Sequence, residues 1–176
     1  MAAMELFAEI GYEQTTVAAI AERAGLTSRT FFRYFADKRE VLFSGSEVLQ
    51  ESMVAALHSA PTDATAMDAI AFALQAPADF FDEDRRGFAR LRAAVIAANG
   101  ELRERELIKL ARLSTALAEA LRARGFAEPD ASLLAESGIA VFRVAFGLWV
   151  APAERRPWGD IVGALLTRLK TLSTAQ

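Results

Sequence analysis

Apolar residues recur every three or four positions along almost the whole chain, which is the spacing of amphipathic helices. The breaks between these segments fall at Gly, Pro, Asp or Thr, residues that commonly end or begin helices. The pattern therefore predicts an all-α fold of about nine helices. The predicted inward stripes are Val17, Ile20, Ala21 and Ala24; Phe88, Leu91 and Val95; Leu110, Leu113, Leu117 and Leu121; Phe142, Phe146 and Trp149; and Ile161, Leu165, Leu169 and Leu172.

Capping residues divide the first 60 positions into four predicted helices. They are residues 1–10, ending at Gly11; a helix capped by Thr15 or Thr16 that runs to Ala24; Ser28–Phe35, capped by Thr27; and one long helix from the Asp37–Glu40 capping box to Pro61. After Pro61 the chain is a series of Ala- and Leu-rich segments of helix length. We predict an N-terminal three-helix domain at residues 1–45 and a C-terminal helical bundle at residues 46–176.

The N-terminal segment contains two short helices joined by a tight turn at Gly25. This is the arrangement of a helix-turn-helix, whose second helix can enter the major groove of DNA. On that helix Phe31 and Phe35 share one face, where Leu26 can join them in the core. Arg29, Phe32 and Arg33 lie on the opposite face together with Ser28. Two arginines beside an exposed aromatic ring favour a binding surface over a face that only packs.

Composition changes this interpretation in two ways. The chain has 176 residues, is 53% hydrophobic and contains no Cys and one His. Without Cys there are no disulfides and no thiolate chemistry, and one His cannot supply the usual ligands of a zinc site. No cofactor or metal is therefore expected. The absence of Cys fits a cytoplasmic protein, and no uninterrupted apolar run is long enough to predict a membrane partner. The net charge of −3 disfavours DNA binding, but residues 29–39 carry four cations against Asp37 alone, a local charge of +3.

The N-terminal quarter of the chain contains a set of residues at a characteristic spacing: Leu6 to Tyr12, Thr15 to Val17, Ile20, Ala21, Ala24 to Thr27, Thr30, Tyr34, Phe35 and Lys38. This set resembles the DNA-binding domain of TetR-family transcriptional regulators. Phe32 differs from that family, which usually has Tyr at this position, and this removes one hydroxyl group from the predicted surface.

The resemblance implies a homodimer that places two recognition helices in successive major grooves. A weaker similarity of residues 30–35 to the branch that contains mycofactocin-type regulators implies a long-chain acyl-CoA as one candidate effector. The residues that the resemblance places on DNA are Thr16, Thr27, Ser28, Arg29, Phe32, Arg33, Tyr34 and Lys38, the last at a position that commonly meets the DNA backbone.

The C-terminal bundle is expected to bind a small-molecule effector and to form the dimer. Aromatic and arginine side chains are the candidate ligand-binding residues: Phe88, Arg92, Phe142, Arg143, Phe146 and Trp149. Small and apolar residues of the last two helices are the candidate dimer interface: Ala140, Val144, Gly147, Ala151, Ile161 and Leu165. Gly138 lies about 180° from Gly147 around the same helix, so it is predicted to face elsewhere.

These features together favour a ligand-responsive, DNA-binding regulator, a homodimeric repressor that a small apolar or amphipathic effector releases from a palindromic operator. Two alternatives stay open at the level of sequence. One is a helix-turn-helix protein that binds another protein. The other is a small helical enzyme, which the single His and the exposed pattern of carboxylates at residues 82–84 disfavour, so no catalytic residue is proposed.

Overall fold

The computed structural model describes residues 2–174, and this range contains α-helices, one short 3-10 helix and no strand. Nine of the ten α-helices in this range are longer than a single turn. The prediction of an all-α fold of about nine helices is confirmed. Met1, where the first helix was predicted to begin, lies outside the described residues. The helices are α1 (Ala2–Glu9), α2 (Val17–Arg23), α3 (Ser28–Tyr34), α4 (Glu40–Phe43), α5 (Ser46–Ser59), α6 (Ala66–Gln75), the 3-10 helix (Ala76–Phe80), α7 (Glu83–Ala98), α8 (Gly100–Ala123), α9 (Asp130–Trp149) and α10 (Trp158–Thr174).

The chain forms two compact units. Unit 1 comprises Met1–Ser46 and Phe88–Leu107, and unit 2 comprises Glu47–Gly87 and Ile108–Gln176. Unit 1 thus includes a later segment that the predicted domain at residues 1–45 does not contain. The apolar side chains of this segment are buried in one core with those of α1 to α4, among them Val95, Ile96 and Leu102.

The helix-turn-helix of unit 1 has the predicted boundaries to within a residue or two. Thr16 caps α2, because its side-chain oxygen accepts a hydrogen bond from the amide of Ala19 (3.1 Å). Thr15, the alternative cap, is buried and donates its hydroxyl to the carbonyl of Gly11 (2.7 Å). Gly25 has a φ of +68° and ends α2 in the left-handed conformation that favours glycine.

The prediction of one long fourth helix is wrong. Asp37 does accept hydrogen bonds from the amides of Arg39 and Glu40, which is one of the two reciprocal contacts of a capping box. The helix that follows ends after one turn, however, and α5 begins only at Ser46. The Ser44 hydroxyl donates to the carbonyl of Val41 (3.2 Å), and Gly45 has a low helix propensity, so the helix is interrupted there.

In unit 2, α9 packs against α6 and α10. Gly138 faces α6, since a Cβ added to it would lie 3.2 Å from Ile70 Cγ2, and the prediction that it points away from the Gly147 face is confirmed. The predicted inward stripe of α10 is correct at Ile161 only. Its buried residues are Trp158, Ile161, Val162 and Leu166, whereas Leu165 is half-buried and Leu172 is exposed.

Among residues 2–174, α9 is the one helix that is long and apolar enough to cross a membrane by length and composition. Glu136 and Arg143 interrupt its apolar sequence, so the helix contains no uninterrupted apolar run of that length. Eight of its residues are buried in the core of unit 2, so its inward face has a structural explanation. On its outward face, Leu133 and Val144 are more than half exposed among the described residues.

Candidate nucleic-acid interface

Helix α3 has one buried and one exposed face, as predicted. Phe31 is 4% exposed and Phe35 is half-buried, with their ring centroids 5.2 Å apart. On the other face Phe32 is 57% exposed and Arg29 and Arg33 are exposed. The Phe32 ring meets the Phe31 ring edge-on, with centroids 5.6 Å apart, but more than half of the residue stays exposed. Exposing a phenyl ring gives up the free energy of burying its apolar surface.

The expectation that Leu26 joins this core is wrong, because its side chain is 50% exposed. Its amide donates to the carbonyl of Ala21 (2.8 Å), which closes the helix end around Gly25. This hydrogen bond together with the positive φ of Gly25 turns the chain sharply, and the side chain points away from Phe31 and Phe35. The position is therefore part of the turn surface and not of the core.

Two threonines, Thr16 and Thr27, cap the helices of the helix-turn-helix and also carry hydroxyl protons. Thr27 caps α3 by accepting from the amide of Thr30 (3.1 Å), as Thr16 caps α2. A hydroxyl that accepts a hydrogen bond at a cap still has its own proton to donate. Thr16 is exposed, so its hydroxyl can donate to a phosphate oxygen. Thr27 is also exposed, but its hydroxyl is hydrogen-bonded to that of Thr30 (3.1 Å), and its proton is available to a phosphate when Thr30 is the donor. Ser28 beside Thr27 is half-buried.

Arg33 and Tyr34 form a pair at the end of α3. Arg33 Nη2 donates to the Tyr34 hydroxyl (3.0 Å), and the guanidinium carbon lies 4.9 Å from the centre of the Tyr34 ring. Tyr34 is 66% exposed, and its hydroxyl proton is available to a further acceptor. The pair thus presents a guanidinium group and a hydroxyl donor side by side.

The four cations of the +3 stretch are not equivalent. Arg39 donates from Nε and Nη2 to one carboxylate oxygen, Oδ2, of Asp37, and this ion pair lowers the pKa of the Asp37 carboxyl below its usual value. Lys38 donates to three backbone carbonyl groups. The exposed positive charge of this stretch is therefore concentrated on Arg29 and Arg33.

The six predicted ligand-binding residues belong to two different units. Phe88 and Arg92 are in unit 1, and the other four are in unit 2. Arg92 donates from Nε to the carbonyl of Leu42 (2.7 Å) and lies over the ring of Phe43, so its side chain has internal partners. Burial lowers the pKa of this guanidinium from its ordinary value. Arg143 is exposed on α9.

Phe142, Phe146 and Trp149 form an aromatic cluster in unit 2 with Phe81 and Trp158. Phe81 stacks on Trp158 with ring centroids 3.9 Å apart and meets Trp149 edge-on at 5.3 Å. Trp158 Nε1 donates to the carbonyl of Leu74 (2.8 Å). Trp149 is fully buried, and its Nε1 has no hydrogen-bond partner among the described residues, which leaves a buried donor unsatisfied.

The predicted dimer residues divide by exposure. On α9, Ala140 and Gly147 are exposed, Val144 is 52% exposed and Ala151, just beyond the helix, is half-buried. On α10, Leu165 is half-buried, and Ile161 is 1% exposed because it packs in the core of unit 2. Ile161 thus has no free surface within its own chain. The sequence did not single out Leu133, which extends the exposed apolar stripe of α9.

Sequence reasoning also did not predict the long-range polar contacts of two residues, Tyr12 and Arg86. The Tyr12 hydroxyl donates to Glu101 in the first turn of α8 (2.8 Å). Arg86 is 2% exposed and donates to the carbonyl groups of Trp149, Glu154 and Arg156. Nothing in the local sequence of either residue predicts these partners, because they lie 63 to 89 positions away in the chain.

Comparison with known proteins agrees with the geometry of α2 and α3. Residues 1–44 match the family model described as bacterial regulatory proteins of the tetR family. The N-terminal region, which contains α1 to α4, is therefore similar to the regulators of that family. One relative is the HTH-type transcriptional regulator TcmR of Streptomyces glaucescens, which is 42% identical over 74 residues. This match covers 42% of the chain and 33% of TcmR, so the chain spans about a third of the length of this curated relative.

Solved structures of other proteins share the fold of nearly the whole chain. PfmR from Thermus thermophilus, a TetR-family regulator, is 25% identical with a TM-score of 0.55, and the match covers 94% of this chain and 93% of PfmR. A transcriptional regulator from Rhodococcus sp. Rha1 is 22% identical with a TM-score of 0.55 over 95% and 91% of the two chains. AibR, solved with isovaleryl coenzyme A and operator DNA, is 18% identical with a TM-score of 0.51 over 95% and 93%.

Proposed function

We propose that this TetR-type protein is a cytoplasmic, homodimeric repressor that leaves a palindromic operator when a small apolar or amphipathic effector binds. The observation that carries the proposal is the outward face of α3, where Arg29, Phe32, Arg33 and Tyr34 are exposed together. In this proposal the protein acts by binding and not by catalysis. Its partners are double-stranded DNA, a second copy of the chain and the effector.

On DNA, α3 lies in the major groove. Arg29 or Arg33 donates two hydrogen bonds to a guanine edge, and Phe32 contacts a thymine methyl group. The hydroxyl groups of Thr16, Thr27 and Tyr34 donate to phosphate oxygens, and these contacts fix the register of the domain without reading sequence. Ser28, half-buried at the start of α3, is placed to contact a base or a phosphate at the edge of the groove.

A second copy of the chain covers the outward face of α9. The exposed stripe of Leu133, Ala140, Val144 and Gly147 is apolar and small in the middle, which permits close approach of a helix. A monomer that exposes such a stripe loses the free energy of burying it, and dimerisation recovers that free energy. Two copies are also needed to span half-sites about one turn of DNA apart.

The effector binds in the aromatic cluster of unit 2. The unsatisfied Trp149 Nε1 supports this, because a buried donor without a partner is satisfied when a ligand brings an acceptor. Phe142 and Phe146 supply apolar contact, and Arg143 is a candidate for a charged part of the ligand. An acyl-CoA is the first class to test, since AibR binds isovaleryl coenzyme A and the similarity to mycofactocin-type regulators implies a longer acyl chain.

Selection of bound sequences from random DNA duplexes tests the function. We expect the purified protein to enrich a palindrome and Arg33→Ala to reduce affinity for it about tenfold or more. Arg39→Ala is the matched control, because it removes the same charge from the same stretch but from a side chain that is paired with Asp37. We expect this variant to keep most of the affinity.

Enrichment of no palindrome contradicts the proposal, as does an equal loss in the two arginine variants. Capture of a protein partner by the wild type but not by Arg33→Ala, in the absence of DNA enrichment, supports the alternative of protein association. The effector is tested separately, by adding acyl-CoAs of increasing chain length to the operator complex and measuring DNA release and tryptophan fluorescence.

A further inference from the structure

Lys38 is enclosed by backbone carbonyl groups. Its Nζ donates to the carbonyls of Tyr12 (2.7 Å), Glu13 (3.2 Å) and Thr15 (3.0 Å). The same atom lies 4.3 Å from the centre of the Tyr12 ring, which adds a cation–π contact. A lysine ammonium group has three hydrogen-bond donors, so these contacts use all of them.

The enclosure joins the two ends of the helix-turn-helix. Lys38 lies between α3 and α4, and residues 12–15 form the loop directly before α2. The carbonyl of Thr15 belongs to the peptide group that precedes Thr16, the residue that caps α2. By holding this peptide, Lys38 fixes where the Thr16 hydroxyl lies relative to α3.

We propose that Lys38 is a positioning residue for DNA binding and not a phosphate contact. This inference rests on the proposed function and differs from the sequence-based expectation that Lys38 meets the DNA backbone. To reach a phosphate, the ammonium group has to leave at least one of its three carbonyl partners. Its contribution to DNA affinity comes from ordering the loop at residues 12–15, which holds the Thr16 hydroxyl in position to donate to a phosphate.

The dependence of DNA affinity on salt separates the two roles. Each phosphate that a cation neutralises contributes about 0.9 to the slope of log affinity against log salt concentration. For Lys38→Met, we expect affinity for the selected operator to fall about tenfold or more while the slope stays that of the wild type. Arg33→Met is the comparison variant, for which both the affinity and the slope are expected to fall.

Amide hydrogen exchange, followed by NMR on the full-length protein without DNA, tests the same inference independently. The Thr15 amide donates to Tyr12 O, and the Ala19 amide donates to Thr16 Oγ1. We expect both to exchange faster in Lys38→Met, whereas the amide of Phe35, bonded to Phe31 O in α3, keeps its wild-type rate. Lys38→Arg is expected to behave like Lys38→Met, because a planar guanidinium cannot direct three donors from one atom.

Three results overturn the inference: a slope reduced by about 0.9 per subunit in Lys38→Met, full DNA affinity in Lys38→Arg, or unchanged exchange at Thr15 and Ala19. If Lys38→Met does not fold, the amide exchange rates of Thr15 and Ala19 in Lys38→Arg test whether Lys38 orders the loop. If the wild type selects no operator, the proposed function fails, but the exchange measurement still reports whether Lys38 orders the loop.

Discussion

The Tyr12 hydroxyl donates a 2.8 Å hydrogen bond to Glu101, a residue 89 positions later in the chain. The Tyr12 ring is 4% exposed and packs against Phe7, with ring centroids 5.2 Å apart. The same ring faces the Lys38 ammonium group. One side chain thus joins α1, the loop before α2 and the first turn of α8 within unit 1.

Tyr12→Phe is expected to lower the free energy of unfolding by about 1 kcal/mol, because it removes the hydroxyl and keeps the ring. The chain supplies a matched control in Tyr34, its other tyrosine, which is exposed. We expect Tyr34→Phe to change stability by less than about 0.5 kcal/mol. Urea unfolding measures both values, and equal stability of the two variants contradicts the structural role of the Tyr12 hydroxyl.

Alkaline pH provides a second measurement on Tyr12. Burial, followed by the hydrogen bond to Glu101, raises the pKa of Tyr12 above its ordinary value of 10.0. The folded state therefore keeps the Tyr12 proton where the unfolded chain has lost it. The stability from this group is fully present below about pH 10 and decreases as the pH rises above that value.

An absorbance titration of Tyr34→Phe, in which Tyr12 is the remaining tyrosine, is expected to show ionisation only well above about pH 10 in the folded protein. In urea the same group is expected to ionise near its ordinary pKa. Ionisation of the folded variant at the same pH as in urea is incompatible with the buried hydrogen bond.

Arg86→Met is expected to lower the free energy of unfolding by about 3 kcal/mol, because three carbonyl groups lose a buried charged donor. Arg86 also lies over the ring of Trp149, at 5.1 Å from its centre. The neighbouring Arg85 is exposed and pairs with Asp82 at 3.3 Å. Arg85→Met is expected to change stability by less than about 0.5 kcal/mol. A difference of less than about 1 kcal/mol between the two variants argues against the assigned contacts.

Gly147→Trp is expected to convert the proposed dimer into monomers that bind the operator at least about tenfold more weakly. A Cβ at Gly147 meets no atom within 4 Å, so the substitution leaves the fold of the chain intact. Ala111→Trp, at an exposed position of α8, is the control that keeps the dimer. Sedimentation velocity measures the mass of both variants, and a Gly147→Trp protein that still sediments as a dimer places the interface elsewhere.

Local sequence features predicted the helix-turn-helix well because its determinants are local. Thr27 caps the helix that follows it, and the spacing of Phe31 and Phe35 defines a buried face within two turns. The break near Gly45 was missed because the apolar stripe continues across it. On α10 Leu165 and Leu166 are equally apolar, and only the packing of neighbouring helices decides that Leu166 is buried.

The polar contacts of unit 1 could not be read from the sequence at all. Tyr12 and Glu101 are far apart in the chain, and nothing in either local sequence identifies the other as a partner. Lys38 matched a family pattern for a DNA contact, yet its position in space depends on the path of residues 12–15. The three carbonyl contacts of Lys38, which only the tertiary structure shows, are the reason that we propose a different role for this residue.

The pair formed by Arg39 and Asp37 has a consequence for how a regulator of the proposed kind searches for its operator. Affinity for random DNA is almost entirely electrostatic, so it depends on how many cations face the phosphates. With Arg39 neutralised by Asp37, the exposed charge of each recognition surface rests mainly on Arg29 and Arg33. A complex at a non-operator site is therefore expected to dissociate quickly. Long residence times are expected only at DNA sequences whose base edges fit α3.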